Sequence, residues 1–238
     1  MWINTQSDII SKVLSPAVRL WLKSQVQHTE AMQLHIQGHD RQILRGYIPA
    51  VRLGCEKAIY QGLHLGLTQV QAENIRLNIG QILRGKPLKI LEPIRLAGEV
   101  KIEESDLNNS VSSFILSNAF TDLLIMLLES NGLFDIRQEL ENYRTNWEKV
   151  QLNSEKFTIS GNLNDNHDYY FPLKIEARLQ LLSENALIIY PQKITGLNHW
   201  SKVNLNPFTV DLGEDVNIKN LTLDAGRIDC LGEMVVKP

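Results

Sequence analysis

Along residues 7–26 the apolar side chains Ile10, Val13, Leu14, Ala17, Val18, Trp21 and Leu22 recur at three- and four-residue steps. That spacing lays one apolar stripe along a helix. Pro16 falls inside the stripe and removes a backbone hydrogen bond there, so the pattern predicts a kink, or a helix that starts with Ser15 as N-cap and Pro16 in its first turn. After Gln27 the period drops to two. Met32, Leu34 and Ile36 predict one strand, and Val51, Leu53 and Cys55 another, with a turn region around Gly46 and Pro49 between them. Leu63, Leu65, Leu67 and Val70 continue an apolar face, which Ile75, Leu77 and Ile79 resume. Gly85 and Pro87 interrupt the chain before Leu88, Ile90 and Leu91, and a further run holds Ile94, Leu96, Val100 and Ile102.

The helical period returns at Ser105, the expected cap of one long helix over residues 105–128. Leu107, Val111, Phe114, Ile115, Asn118 and Ala119 share its face, which continues through Leu123, Ile125, Met126 and Leu127 to a stop at Gly132. Ile136, Leu140, Tyr143 and Trp147 keep three- and four-residue spacing and predict a third helix over 134–147. From Val150 onward alternation dominates, in short runs punctuated by Gly213, Gly226 and Gly232. About ten strands follow one another without helical crossovers. This is the signature of an α+β domain whose antiparallel sheet packs on two or three helices, here taken as one domain spanning 1–238.

Composition narrows the function classes. An apolar share of 43% with 21% charged residues is that of a folded chain, and a net charge of -3 argues against a generally nucleic-acid-seeking surface. The sign is uneven: thirteen basic and nine acidic residues precede residue 105, eleven and eighteen follow. That asymmetry suits a first half facing an anionic surface, although ordinary surface variation is the commoner cause of such a difference. Cys55 and Cys230 are too few for a disulfide framework or a thiolate metal site; two free thiols are expected, with a single bridge between them left open. Residues 1–12 lack the features of a secretory signal, and no stretch reaches about 18 consecutive apolar residues. The expectation is a cytoplasmic protein, peripheral at a membrane if it meets one.

No phosphate-binding loop, dinucleotide fingerprint, nucleophile elbow or HExxH pair occurs in the sequence, which predicts no catalytic residue, metal or cofactor. His35 and His39 are four apart, but in strand and turn that spacing does not stack them. Asp165, His167 and Asp168 could ligate or catalyse, yet the interleaved Asn162, Asn164 and Asn166 are turn composition. Glu103, Glu104 and Asp106 sit where a helix N-terminus favours negative charge. Arg84, Lys86 and Lys89 surround Gly85 and Pro87, a basic loop suited to a phosphate headgroup or to plain solvent. Trp2, Trp21 and the first helix fit a membrane interface or a packed core.

One stretch is more specific. Starting within residues 46–108, IPAVRLGCEKAIYQGLHLG, AENIRLNIGQILRGKPLKILEPI and ESDLNNSV occur in order. Their clearest pieces are Tyr60-Gln61-Gly62-Leu63, Asn74-Ile75, Gly80-Gln81, Arg84-Gly85, Pro87-Leu88, Leu91 and Asp106-Leu107-Asn108. This region resembles the DUF2993 family common in cyanobacteria, whose LmeA-type relatives are phospholipid-binding proteins of an envelope. The resemblance implies an elongated, tubular lipid-binding-like fold, a long curved antiparallel sheet wrapped on a helix. It also implies phospholipid or another amphiphile as partner, with transient contact to a membrane surface and no nucleic acid. The chain departs from LmeA-type relatives in its start, which carries no recognisable export signal.

On that basis Leu14, Val18, Trp21, Leu22, Phe114, Ile115 and Leu123 are expected to contact acyl chains, and Arg84, Lys86 and Lys89 to meet a headgroup. Each buried methylene contributes about 0.8 kcal/mol, so such a site needs no polar motif. Two other readings stay open: a scaffold with a closed core, and a lipid or glycan hydrolase built around His167 and Asp168.

Overall fold

A computed structural model of the chain describes residues 10–133, 135–165, 169–196 and 205–238. Trp2, the start of the expected first helix at 7–9, and the pair His167 and Asp168 lie outside these described residues. A wide turn, Ile10–Leu14, leads into helix α1, Ser15–Gln25. The expected cap at Ser15 shifts by one residue. Leu14 is the N-cap, helical in backbone and without a side-chain cap, because the preceding turn already delivers the chain in helical form.

Strand β1 (His28–Gln37) is followed by a short helix α2 (Asp40–Leu44), then by the long hairpin β2 (Tyr47–Tyr60) and β3 (Leu63–Arg76). The turn region expected around Gly46 and Pro49 is therefore a helix ending at Leu44 and a strand that already contains Pro49. The alternating run 75–79 is not one strand either: β3 stops at Arg76, and Ile79–Ile82 form a helical turn, α3. Asn74, at φ 55°, rotates the strand just before its end, so that Ala72 and Ile75 enter one apolar cluster although three residues apart.

Strand β4 (Ile94–Glu103) runs into α4 (Glu104–Ser110), and α5 (Phe114–Ser130) follows after a 94° bend. The expected single helix over 105–128 is thus two. Ser113 explains the break: its hydroxyl accepts from Leu116 N at 3.2 Å and caps a new helix. The start also differs, since Glu103, not Ser105, is the N-cap, and Asp106 Oδ2 accepts from Glu103 N at 3.0 Å.

Helix α6 (Ile136–Leu140) is short, and β5 (Tyr143–Asn153) takes the rest of the expected third helix. A four-residue step such as Tyr143 to Trp147 stays on one face in a helix and in a strand alike. The hairpins β5–β6 (Lys156–Asp165), β7 (Tyr170–Ser183), β8 (Ala186–Thr195) and β9 (Phe208–Asp211) then complete a five-stranded antiparallel sheet in sequence order. The C-terminal hairpin, β10 (Val216–Asp224) and β11 (Arg227–Val236), returns to the first sheet, whose order is β1-β2-β3-β4-β11-β10. Gly232 does not divide this last strand. It lies inside β11, paired with Gly98 of β4.

The class is α+β with antiparallel sheets, divided into two sheets rather than one. Among the described residues three apolar clusters hold it together. Leu14, the N-cap of α1, and Val18 within it pack with Leu34, Ile36, Ile43, Ile48 and Ile79 over the first sheet. Leu124, Ile125, Leu127 and Leu128 of α5 pack on the second sheet through Trp147, Ile159, Leu173 and Ile175. Leu107, Val150, Leu152 and Leu223 join α4 and both sheets.

That junction is also polar. Asn108 of α4 accepts from Val150 N and donates to Val150 O, each at 2.9 Å, and Glu104 Oε2 accepts from Leu152 N at 2.7 Å. The open edge of β5 is thereby paired by helix side chains instead of another strand. The acidic run at Glu103, Glu104 and Asp106 is structural, as its place at a helix start suggested.

Candidate functional site

The register of the first sheet places side chains in rows. Cys55 of β2 pairs with Thr68, Thr68 with Val100, Val100 with Cys230, and Cys230 with Leu221. Two residues along, Leu53 pairs with Val70, Val70 with Gly98, Gly98 with Gly232, and Gly232 with Ile218. Residues paired across antiparallel strands share a face, so both rows look the same way. Leu34 and Ile36 extend that face into β1, where α1 covers it. Ile102, Ile228 and Leu223 extend it toward α4.

Between these covered ends Val70, Val100, Leu221 and Cys230 are half-buried and packed into none of the three clusters. Gly98 and Gly232 sit side by side among them. A Cβ on Gly98 would come within 2.5 Å of Gln69 O, and one on Gly232 within 2.7 Å of Asn217 O. Glycine is what lets neighbouring backbone close in at this place. The result is an apolar stretch of sheet flanked by two packed regions.

The same rows separate the two cysteines. Three interstrand steps of about 4.8 Å put them roughly 14 Å apart, twice the reach of a disulfide. Both thiols are free. Burial pushes the Cys55 thiol up, against the smaller opposing effects of the Thr29 and Thr68 hydroxyls, and burial alone pushes the Cys230 thiol up. Neither has the electropositive surroundings of a reactive cysteine.

The residues expected to contact acyl chains fall on two separate packings. Leu14 and Val18 are buried in the first-sheet cluster, Leu22 packs against it, and Trp21 is half-buried. Leu123 packs on the second-sheet cluster, Ile115 is half-buried, and Phe114 is 78% exposed. Helix α5 is tied to the second sheet by Trp147, whose ring meets Phe120 edge-on at 5.7 Å and whose Nε1 donates to Thr121 Oγ1 at 3.1 Å. The rows through Val70, Val100, Leu221 and Cys230 were not among the expected site residues. Their apolar alternation was visible; the cross-strand register that lines them up was not.

Arg84, Lys86 and Lys89 are exposed on the connection from α3 to β4. Asn78, buried at its base, fixes that connection. Its side chain accepts from Lys89 N at 2.7 Å and donates to Pro87 O at 2.9 Å. The basic loop is thus held in shape by a hydrogen-bonded base. His35 lies on β1, and His39 is the N-cap of α2, so the pair does not converge. No group of three or more His, Cys, Asp or Glu side chains among the described residues is placed to hold a metal ion.

Among the described residues no single helix is long and apolar enough to cross a membrane; α4 and α5 reach that apolarity only together, across their bend. No curated protein and no solved structure matches the chain. A family model does, over residues 5–233, far beyond the motifs of residues 46–108. The chain belongs to the LmeA-like phospholipid-binding family.

Proposed function

We propose that the protein holds a phospholipid or a similar amphiphile without catalysis, and that the whole chain acts as one unit in doing so. The acyl chains lie along the rows of Val70, Val100, Leu221 and Cys230, between α1 with Leu14, Val18, Trp21 and Leu22 and α5 with Phe114, Ile115 and Leu123. Arg84, Lys86 and Lys89 meet the phosphate. The observation that carries this reading is the half-buried apolar stretch that belongs to none of the three clusters.

Several buried methylenes at about 0.8 kcal/mol each suffice for retention. Transfer of lipid between membranes, or upkeep of a membrane from its cytoplasmic side, is the role such a carrier serves.

Native mass spectrometry and lipid extraction of the purified full chain test the reading. A phospholipid is expected to co-purify, and Val100→Asp, which sets a charge in the row, is expected to lose it while the fold persists. If no amphiphile co-purifies and vesicles neither bind nor donate lipid, the reading falls. The complete burial of Leu14 among first-sheet side chains favours the second reading, a closed scaffold. The same experiment decides between them.

A further inference from the structure

Two connections close the same end of the first sheet: α2 joins β1 to β2, and α3 with its loop joins β3 to β4. Ile43 of α2, Ile79 and Ile82 of α3, and Leu88 and Ile90 of the loop share one apolar cluster, which draws both connections into a single tip. The outward side of that tip is unusual. Leu44 is 52%, Leu83 49% and Leu91 55% exposed. Around these leucines stand Arg41, Arg45, Arg84, Lys86 and Lys89, all exposed.

None of these five cations has an ion-pair partner among the described residues. Elsewhere among the described residues some cations are paired, as Lys57 with Glu30, Lys101 with Glu99 and Lys219 with Glu184, and others, such as Arg144, Lys149 and Lys193, are not; what sets the tip apart is five unpaired cations gathered around exposed leucines. On the tip's own connections the acids are only Asp40 and Glu92. A chain of net charge -3 thus concentrates unneutralised positive charge where it also exposes leucine. Water alone favours neither the leucines nor so one-sided a field.

We propose that this tip is a docking surface for an anionic lipid bilayer: Leu44, Leu83 and Leu91 enter the headgroup boundary while the five cations meet lipid phosphates and carboxylates. The chemistry of such a surface asks for both features at once, since cations attract the anionic layer and short apolar side chains anchor in it. Asn78 fixes the place of the loop through its bonds with Pro87 O and Lys89 N. The inference rests on the lipid-binding reading for its purpose, because docking here would bring a bilayer to one end of the sheet that carries the apolar rows.

Flotation of the full chain with vesicles of phosphatidylcholine alone, and with vesicles of phosphatidylcholine and phosphatidylserine, tests it. Binding to the anionic vesicles is expected to be at least about tenfold stronger, since each cation near an anionic surface contributes appreciably. R84E/K86E/K89E should reduce it to the neutral-vesicle level. L83S/L91S should weaken it with all charges in place, and R144E/K149E on the second sheet should leave it unchanged. Thermal unfolding confirms that each variant is folded.

Equal binding to both vesicles, or full binding by the charge-reversed protein, overturns the docking surface. So does preferential capture of polyglutamate that anionic vesicles cannot displace, which would assign the tip to an acidic protein. Native mass spectrometry on the same variants separates the two claims. Lipid retained by L83S/L91S, whose headgroup cations are intact, together with weakened flotation supports both. Docking by a protein that never carries lipid supports the surface and removes the proposed function.

Discussion

Asn78 and Lys89 hold each other twice: Lys89 N donates to Asn78 Oδ1 at 2.7 Å, and Asn78 N donates to Lys89 O at 3.3 Å. The carboxamide also donates to Pro87 O. A side chain thus stands in for the strand that this loop lacks. Asn78→Ala leaves those loop groups without partners in a partly buried place, and about 1–3 kcal/mol of stability should be lost. Urea unfolding measures the loss, and hydrogen exchange should accelerate at Lys89 with the strands of the second sheet unaffected. Unchanged protection at Lys89 would mean that the loop is shaped by something else.

Asn108 does the corresponding work at the edge of β5, with two bonds to Val150 and one from Nδ2 to Glu104 O at 2.7 Å. Asn108→Ala should cost about 2 kcal/mol, because both backbone groups of Val150 lose their partner beside a buried cluster. Asn108→Asp should cost more at neutral pH. It keeps the acceptor for Val150 N but turns an anionic oxygen toward two carbonyls. Denaturant midpoints rank the variants, and an Asp variant as stable as wild type would remove this account of the edge.

Two glycines make opposite predictions. Gly98→Ala forces a methyl to within 2.5 Å of Gln69 O, a backbone atom that cannot step aside, and should destabilise by about 1–3 kcal/mol. Gly80 sits in α3 with nothing within 4 Å of a built Cβ. Gly80→Ala should stabilise by about 0.4–1 kcal/mol through the unfolded chain. Thermal melts of the two variants should move in opposite directions.

Glu184 links the β7–β8 turn to β10, accepting from Lys219 Nζ at 3.1 Å and Asn217 Nδ2 at 2.7 Å. The hydrogen bond from Lys219 is the main cause that holds its carboxyl below the usual range. A depressed folded value means that the carboxylate adds stability above the ordinary glutamate pKa and loses it as pH falls through the lowered one. Wild type should therefore exceed Glu184→Gln by a small margin at neutral pH, with the margin closing in acid. A margin that is constant with pH would show that charge at Glu184 is irrelevant.

The strands were legible because a two-residue period survives wherever one face is buried, as in Leu34 and Ile36 or Val51 and Leu53. Their division into two sheets was not, since β11 pairs with β4 across more than a hundred residues and nothing local at Gly232 announces Gly98. The misplaced helix over 134–147 came from four-residue spacing, which serves Tyr143 and Trp147 equally well on a strand. Ser113 caps a new helix at the break between α4 and α5, but the three- and four-residue spacing of apolar side chains continues across it from Leu107 to Leu123. For the site, the exposed Arg84, Lys86 and Lys89 were readable from composition. The companion leucines of the tip and the rows through Val100 required knowing which apolar residues the fold leaves uncovered.

Cys230 offers a chemical probe of those rows. It is half-buried between Val100 and Leu221, while Cys55 is buried at the far side of Thr68. Its thiol is pushed up by burial, so little thiolate exists at neutral pH and alkylation should be slow, quickening as pH rises. In a Cys55→Ser background only this thiol reports. A phospholipid lying on the rows would cover it, so lipid-loaded protein should react several-fold more slowly with iodoacetamide than delipidated protein at the same pH. Raising the pH should speed both forms without abolishing the ratio, because coverage and ionisation are separate effects. Equal rates for the loaded and delipidated forms would place the acyl chains away from Val100 and Leu221, even if the lipid itself is confirmed.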